Sequence, residues 1–399
     1  MKDRCCALQC EIKYEQLYGT SPEDTVFCPY RICPVGAHVD HNLGVVTGLA
    51  LNEGITVAYR RDDTGKVRVS SLQFPGDKEW DLGDIPETPV GDWADYLRGA
   101  CMELRREYDI IVGISGVIEG SMPAGGLSSS AAVTLAFIKA LCRVNGIKLS
   151  NETLIRMSHD AESGYVGVPV GTLDQSCEVL CRKDMLLALD TLDGRYELIP
   201  APASMKPYRI AIILSGLEHA LVSSGYATRV DELRCGVYAL KAYARLEYGK
   251  LKDTNARDIP EEIYYKYKNG LPEQWRLRCE HWYTEQRRVK EGIEAWRNGD
   301  IEKFGRLSFE SGESSVNNWQ SGAPEQIKLF EIMKRTDGIY GGRFSGAGFK
   351  GCCLALIDPS YEDEIRKKIT EEYTSAYPDL KEKFSVRICS SADGVGYSE

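Results

Sequence analysis

The stretch SMPAGGLSSSAAVTLAFIKAL, residues 121–141, joins a turn rich in glycine and serine to a run of apolar residues with helical spacing. The spacing predicts a helix that begins near Leu127 or Ser128. Gly125 and Gly126 permit backbone conformations and close approaches that a Cβ forbids. The free N–H groups at a helix start and the positive end of the helix dipole together suit a phosphate. A serine that only caps an ordinary helix gives the same local pattern, so this loop alone leaves both interpretations open.

Composition and charge restrict the class of protein. The chain has 399 residues, of which 43% are hydrophobic, and a formal net charge of −10. This length suits two soluble globular domains. The acidic balance argues against a general nucleic-acid binder. The N-terminal residues MKDRCCALQC have no apolar signal-type core, and no apolar run is long enough to span a bilayer, so we expect a cytoplasmic protein without a membrane partner.

The 14 cysteines do not indicate a disulfide scaffold or a zinc site. The chain is long, it has no C-x-x-C pair, and its five histidines are scattered along the sequence. We therefore expect reduced and mostly buried thiols.

The order of elements predicts an α+β protein with two domains. A β-rich start is followed by helices, and the proline-rich stretch PAPASMKP predicts domain limits at 1–203 and 204–399. The predicted elements include helices over 93–108, 128–145, 152–163, 228–250 and 273–298, a hairpin over 185–200, and strands over 208–216, 352–358 and 384–390.

Two further loops broken by glycine suggest that the first loop belongs to a shared site. PYRICPVGAHVDHNLG, residues 29–44, holds Arg31, His38 and Asp40 within a short span. GGRFSGAGFKGCCLALID, residues 341–358, leads from a glycine-rich turn into an apolar strand. Each loop is a weak signal alone, but three in one chain suggest one site.

In this order and at these separations, the three segments resemble the three signature motifs of the GHMP kinase superfamily. Within it the chain is similar to galactokinases, and most of all to galacturonokinases, whose pattern YRICP-x-GAH-x-DH it shares. The resemblance implies a two-domain GHMP kinase fold, with an N-terminal domain similar to ribosomal protein S5 domain 2 and a ferredoxin-like C-terminal domain. It also implies ATP as co-substrate, Mg²⁺ as cofactor, and transfer of the γ-phosphoryl group to the anomeric hydroxyl of a hexose or uronic acid.

The resemblance assigns chemical roles to four residues. Asp174, in TLDQS, matches the aspartate that accepts or orients the proton of the anomeric hydroxyl. Arg31 matches the arginine that pairs with this carboxylate and steadies the transferring phosphoryl group. Ser130 and Glu162 match the pair that binds Mg²⁺. A structural ion pair for Arg31 and Asp174, and a solvated helix face for Glu162, are the alternative interpretations.

Other residues are assigned to the two substrates. Trp93 and Tyr96 match neighbours of the base, although two core aromatics one helical turn apart give the same pattern. The assigned residues of the sugar site are Ala37, His38, Asp40 and Tyr226, and those of the nucleotide loops are Gly125, Gly126, Leu127, Ser128, Ser129, Ser130, Gly346 and Gly348.

Departures from the galactokinase pattern bear on the substrate. Galactokinases read GEHTDY where this chain has GAHVDH, residues 36–41, so Ala37 replaces the glutamate that hydrogen-bonds the C6 hydroxyl of the sugar. A uronic acid carries its carboxylate at that carbon. Two other positions also differ from the galactokinase pattern. Ala227 replaces an asparagine beside the sugar, and Lys350 replaces a glycine in the third motif. These differences favour D-galacturonate as substrate and D-galacturonate 1-phosphate as product.

Two alternatives remain open at this point. The chain could be a galactokinase or a sugar 1-kinase of broader scope, or it could be a regulator that senses sugar and ATP without turnover. Retention of both Arg31 and Asp174 favours an enzyme. The expected partner is a small sugar or uronic acid, bound by a monomer or a homodimer.

Overall fold

A computed structural model describes residues 3–123, 125–168, 170–217, 225–247, 249–346, 348 and 351–397, with the backbone alone for 3–7 and 226. The strands in these residues are β1 (Asp24–Ile32), β2 (Val45–Asp62), β3 (Lys66–Ser71), β4 (Lys78–Asp81), β5 (Gly113–Gly120), β6 (Met185–Asp190), β7 (Tyr196–Pro200), β8 (Arg209–Leu214), β9 (Ile339–Phe344), β10 (Cys352–Ile357), β11 (Ser385–Cys389), β12 (Ser391–Ala392) and β13 (Gly396–Tyr397).

The helices in the same residues are α1 (Asp3–Tyr18), α2 (Asp95–Glu107), α3 (Ser129–Val144), α4 (Asn151–Asp160), α5 (Leu173–Leu180), α6 (Tyr226–Tyr243), α7 (Glu261–Tyr267), α8 (Glu273–Arg297), α9 (Ile301–Asn317), α10 (Pro324–Lys334) and α11 (Glu362–Ala376). A π-helical turn, Ala161–Val166, continues α4. Among the described residues, no helix combines the length and apolar character that crossing a membrane requires.

The strands form two sheets. The first has the order β13-β1-β2-β5-β3-β4, and β2 pairs in addition with β6 and β12. Its neighbours are antiparallel except β3 and β5, which are parallel. The second sheet is antiparallel, in the order β11-β8-β10-β9. The predicted limits 1–203 and 204–399 place the boundary between β7 and β8, and the last two strands of the chain pair back with β2 and β1.

The helix predicted from the opening stretch is α3, and it begins at Ser129. Its apolar side chains, including Leu135, Phe137 and Leu141, are fully buried in the core against the first sheet. Burying a side chain of this size stabilises the fold by about 1.5–3 kcal/mol. Packing of α3 on β1 and β2 therefore fixes the loop that precedes the helix close to the end of β1.

Most predicted elements are present, but the helix predicted over 228–250 is shorter. It ends at Tyr243, because Arg245 adopts a left-handed φ of 54°. The N–H groups of Arg245 and Leu246 donate to the carbonyls of Ala242 and Lys241, which closes the last turn. This arrangement is a common way for a helix to end. The helix predicted over 152–163 also changes form, since α4 passes into the π-helical turn after Asp160.

Candidate active site

A cavity of about 720 Å³ opens at the start of α3. Its lining brings together residues that are far apart in the sequence, from β1, β5, α3, α5 and the loop after β9. The residues predicted from the sequence that line this cavity are Arg31, Trp93, Tyr96, Gly125, Gly126, Ser128, Ser129, Ser130, Glu162, Asp174, Gly346 and Gly348.

The two glycine-rich loops meet through their backbones. Gly126 has a φ of 78°, and a Cβ there would lie 3.1 Å from the Ser345 carbonyl oxygen. Gly346 has a φ of 67°, and a Cβ there would lie 3.1 Å from the Gly126 Cα. Ser345 Oγ also donates to the Gly126 carbonyl at 2.5 Å. Glycine is therefore required at both positions, by conformation and by space, for the loops to share one cavity.

Arg31 and Asp174 form an ion pair at one side of this cavity. Arg31 Nε lies 2.6 Å from Asp174 Oδ1, and Arg31 Nη1 donates to the Gly126 carbonyl at 3.4 Å. Burial disfavours the charge of Arg31, but the Asp174 carboxylate outweighs burial and raises the pKa of the guanidinium. Arg31 is thus a permanent buried cation that contacts both the carboxylate and the first glycine loop.

Ser128 does not act as a helix cap through its side chain. It occupies the N-cap position of α3 in a left-handed conformation, with a φ of 63°. Its hydroxyl donates to Asp174 Oδ2. The Ser128 side chain therefore does not cap the helix, because its hydroxyl is hydrogen-bonded to the Asp174 carboxylate in the cavity.

Ser130 and Glu162 are also brought together. Ser130 Oγ donates to Glu162 Oε1 at 2.6 Å, and Gln175 Nε2 donates to Glu162 Oε2 at 2.9 Å. Burial raises the pKa of the Glu162 carboxyl. The described residues hold no group of three or more His, Cys, Asp or Glu arranged for a metal. A hydroxyl beside one carboxylate nevertheless fits Mg²⁺, which usually takes few protein ligands and shares the rest with phosphate and water.

Aromatic side chains form part of the cavity wall. The rings of Trp93 and Phe74 lie 6.3 Å apart and nearly parallel, at 18°. Phe74 is 45% exposed, and Gln73 and Tyr96 line the same region. The sequence gives no sign of Phe74 and Gln73 as lining residues, because a single aromatic in the loop SLQFPGD has no pattern that separates it from an ordinary loop residue.

Leu127, predicted for the nucleotide loop, is absent from the cavity lining, and Tyr226, predicted for the sugar site, is described by its backbone alone. Leu127 is buried and is not among the residues that line the cavity; its apolar side chain enters the core, and its carbonyl accepts from the Arg31 N–H at 3.4 Å. Tyr226 begins α6, and its side chain lies outside the described part of the chain.

The predicted sugar residues Ala37, His38 and Asp40 belong to a loop beside the cavity and are not part of the lining described above. The His38 ring stacks on Trp319 at 5.5 Å and 6°. A Cβ placed at Gly171 would come within 2.0 Å of Asp40 Oδ2, so Asp40 packs on the segment that leads to Asp174.

The charges of these loop residues are set by their surroundings. Burial lowers the pKa of His38 well below its usual value, and the nearby Arg343 guanidinium acts in the same direction. Burial opposes ionisation of Asp40, but its hydrogen bond with His41 lowers the pKa of that carboxyl overall. At neutral pH the loop therefore presents a neutral imidazole and a carboxylate.

Three family descriptions match separate parts of the chain. "GHMP kinases N terminal domain" matches residues 95–182, and "GHMP kinases C terminal" matches residues 291–375. "Galactokinase galactose-binding signature" matches residues 12–61, which include β1 and the loop of Ala37, His38 and Asp40.

Whole-length relatives agree with these matches. A galacturonokinase of Arabidopsis thaliana is 34% identical over 395 residues, covering 93% of this chain and 92% of that protein. A galactokinase of Roseiflexus sp. (strain RS-1) is 31% identical over 385 residues, covering 96% and 95%.

Solved structures give the same result for the fold. Lactococcus lactis galactokinase complexed with galactose has a TM-score of 0.88 to this chain at 27% identity, with 98% of each chain covered. Methanococcus jannaschii mevalonate kinase has a TM-score of 0.64 at 15% identity, covering 92% of this chain and 98% of that one, and so shares the fold.

Proposed function

We propose a reaction for this chain on the premise that it belongs to the GHMP kinase family, within its galactokinase group. The predicted two-domain α+β GHMP kinase fold is confirmed, and the relatives are phosphotransferases that use a hydroxyl acceptor. The proposed reaction is transfer of the γ-phosphoryl group of ATP to the anomeric hydroxyl of D-galacturonate, which gives D-galacturonate 1-phosphate.

The observation that carries this proposal is the Arg31–Asp174 pair at 2.6 Å, beside the junction of the two glycine loops. Phosphoryl transfer requires mainly positioning and neutralisation of charge on the equatorial oxygens. In the proposed complex the phosphates lie against the loops of Gly126 and Gly346. Arg31 then steadies the transferring group, and Asp174 accepts or orients the proton of the anomeric hydroxyl.

The remaining nucleotide contacts follow from the geometry of the cavity. Trp93, Tyr96 and Phe74 provide aromatic surface for the base. Ser130 and Glu162 would hold Mg²⁺ together with phosphate oxygens. The ion would neutralise phosphate charge during transfer.

The choice of galacturonate depends on the loop of residues 36–41. Ala37 stands where the galactokinase pattern has a glutamate, so position 37 supplies no carboxylate to oppose that of a uronic acid. We propose that Ala37, His38, Asp40 and Tyr226 contact the sugar. The 34% identity to a galacturonokinase supports this substrate, but the 31% identity to a galactokinase keeps galactose or a broader sugar scope as the alternative.

A sensor of sugar and ATP without turnover is the second candidate function. The presence of Arg31 and Asp174 in contact favours catalysis over sensing. We further propose a cytoplasmic protein that acts as a monomer or homodimer on a small sugar, without a nucleic-acid or membrane partner, in keeping with its net charge of −10. Light scattering of the purified protein tests the oligomeric state.

The test of the function is a panel of uronic acids and neutral sugars, assayed with ATP and Mg²⁺ for ADP release and for the 1-phosphate product. We expect the highest kcat/KM for D-galacturonate. A higher value for D-galactose would overturn the uronate assignment and leave a sugar 1-kinase. Binding of sugar and ATP without ADP release would support the sensor.

A further inference from the structure

We propose that Glu285 and His281, both on α8, are positioning residues that hold the sugar loop, defined as residues 36–41, and thereby set the affinity for the sugar. The proposal rests on the proposed function only in naming the ligand of the loop as a sugar. Neither residue was assigned a role from the sequence, since each acts on backbone atoms more than 240 positions away.

Glu285 binds two consecutive N–H groups of the sugar loop. Its side chain is fully buried, and Oε1 accepts from Gly36 N at 2.6 Å and from Ala37 N at 3.2 Å. The turn that presents these groups depends on glycine, because Gly36 has a φ of 105° and a Cβ there would lie 2.8 Å from the Val46 Cα. Successive N–H groups of this kind form a concave site for an anion, and the Glu285 carboxylate fills it.

His281 holds the opposite side of the same peptide. Its Nε2 lies 3.0 Å from the Ala37 carbonyl oxygen, which can only accept, so Nε2 carries the proton. Nδ1 therefore accepts from Ser314 Oγ, at 2.9 Å. The ring is fully buried, and burial lowers its pKa to about 4, so the imidazole is neutral at physiological pH. Both backbone groups of Ala37 are thus bound by α8.

Side chains of α9, of the residue that follows it and of α8 itself support Glu285 and His281. Ser311 Oγ donates to Glu285 Oε1 at 2.6 Å, and Arg288 Nε donates to Glu285 Oε2 at 2.7 Å. Asn318 Nδ2 donates to Ser314 Oγ at 3.1 Å. Because each polar group has a partner, the side chains of Glu285 and His281 are held in one orientation. Glu285 and His281 in turn hold in place the backbone that carries the side chains of Ala37 and His38.

The hydrogen bonds of Glu285 reach the sugar loop and not the nucleotide loops. Its described hydrogen bonds go to the sugar loop, to Ser311 and to Arg288, and none goes to 125–130, to Gly346 or to Gly348. Weakening Glu285 should therefore change sugar binding and leave the nucleotide loops in place. A role in general stability alone would give no such separation.

The test compares Glu285→Gln with Glu119→Gln, a matched control. Glu119 is a buried carboxylate on β5 that faces Cys10 of α1 instead of the sugar loop. We expect Glu285→Gln to raise KM for the sugar about tenfold while KM for ATP and kcat stay within about twofold. The control should leave all three constants near those of the unmodified protein.

Amide hydrogen exchange of the peptide 33–46 provides a second readout that needs no turnover. Exchange should be faster in Glu285→Gln and unchanged in Glu119→Gln, because only the first variant weakens the bonds to the amides of Gly36 and Ala37. If the unmodified protein phosphorylates no sugar, the proposed function fails, and exchange still decides whether Glu285 positions the loop.

Two results would overturn the proposal: a parallel rise in KM for ATP, or unchanged exchange in 33–46. If Glu285→Gln does not fold, Ser311→Ala takes its place, since it removes one hydrogen bond to the Glu285 carboxylate and leaves the residue itself. The same shift toward a higher sugar KM, with a smaller size, is then expected. Its absence in a folded Ser311→Ala protein would count against the proposal.

Discussion

Asp174 receives a hydrogen bond on each carboxylate oxygen, from Arg31 Nε to Oδ1 at 2.6 Å and from the Ser128 hydroxyl to Oδ2. The two donors come from β1 and from the loop that precedes α3, so the carboxylate joins the strand to the phosphate-type loop. This arrangement orients Asp174 before any substrate binds. Preorganisation of this kind is what phosphoryl transfer needs, since the protein acts mainly by positioning.

The first prediction concerns this carboxylate. Asp174→Asn should lower kcat by about two to four orders of magnitude, because the amide cannot accept the proton of the acceptor hydroxyl. ATP affinity should change little, since the proposed contacts of Asp174 are to the sugar hydroxyl. Calorimetric titration with ATP and a steady-state assay with the sugar measure the two effects. Near-normal turnover by a folded Asn variant would show that the assignment is wrong.

The second prediction concerns Mg²⁺. Ser130→Ala should raise the Mg²⁺ concentration needed for half-maximal rate and reduce turnover, because it removes the hydroxyl 2.6 Å from Glu162. Ser150→Ala is the control, because Ser150 is a true capping serine that accepts from Thr153 N at 3.1 Å. The control should cost about 1 kcal/mol of stability without a change in metal dependence. If Ser130→Ala behaves like the control, Ser130 is structural.

The sequence predicted the parts of the site that a local residue pattern indicates. The glycines and serines indicated the loop before α3. The spacing of the apolar residues that follow predicted a helix start within two residues of Ser129. Arg31 and Asp174 were paired by resemblance to a family, because nothing local relates residues 143 positions apart. Their contact depends on how α3 and α5 pack on β1, which is decided by the whole core.

The sequence could not show which side chains hold the sugar loop in place. Glu285 and His281 bind backbone atoms, and any residue except proline at position 37 presents the same N–H and carbonyl groups. The support from α9 was also not recognisable, because a serine in a helix sequence does not indicate its partner: Ser311 is fully buried among apolar residues of α9 and bonds to Glu285 on α8.

The third prediction is a loss of stability on acidification. His281 has a pKa lowered to about 4 in the folded protein, chiefly by burial, whereas an unfolded histidine titrates near 6.5. Between these values the unfolded chain binds more protons, so stability falls as the pH decreases. The expected contribution of His281 is about 2 kcal/mol between pH 7 and pH 5.

Denaturant unfolding at several pH values measures this effect, and His281→Gln is the comparison. The variant should be less stable at pH 7 but should lose less stability between pH 7 and pH 5. His38, whose pKa is also lowered, chiefly by burial, remains in both proteins. Parallel pH profiles for the two proteins would rule out titration of His281 as a source of the acid sensitivity.

The last prediction concerns substrate choice at Ala37. Ala37→Glu places a carboxylate beside the proposed position of the sugar C6 group. Two carboxylates about 4 Å apart at an effective dielectric constant near 20 repel by roughly 4 kcal/mol. If solvent and side-chain movement halve this, about 2 kcal/mol remains, or more than tenfold in relative kcat/KM. The C6 hydroxyl of galactose can instead donate to the new carboxylate, so the preference should shift toward galactose.

Ala37→Gln is the control that separates charge from size. Ala37 is 8% exposed and its N–H donates to Glu285, so any longer side chain here also disturbs a packed loop. That disturbance should reduce the rates with both sugars similarly, whereas repulsion between the new carboxylate and the substrate affects only the uronate. The measured quantity is the ratio of kcat/KM for galacturonate to kcat/KM for galactose in the three proteins. A ratio that falls equally in Ala37→Gln and Ala37→Glu assigns the effect to space, and a ratio that stays constant in Ala37→Glu removes Ala37 as the determinant of uronate choice.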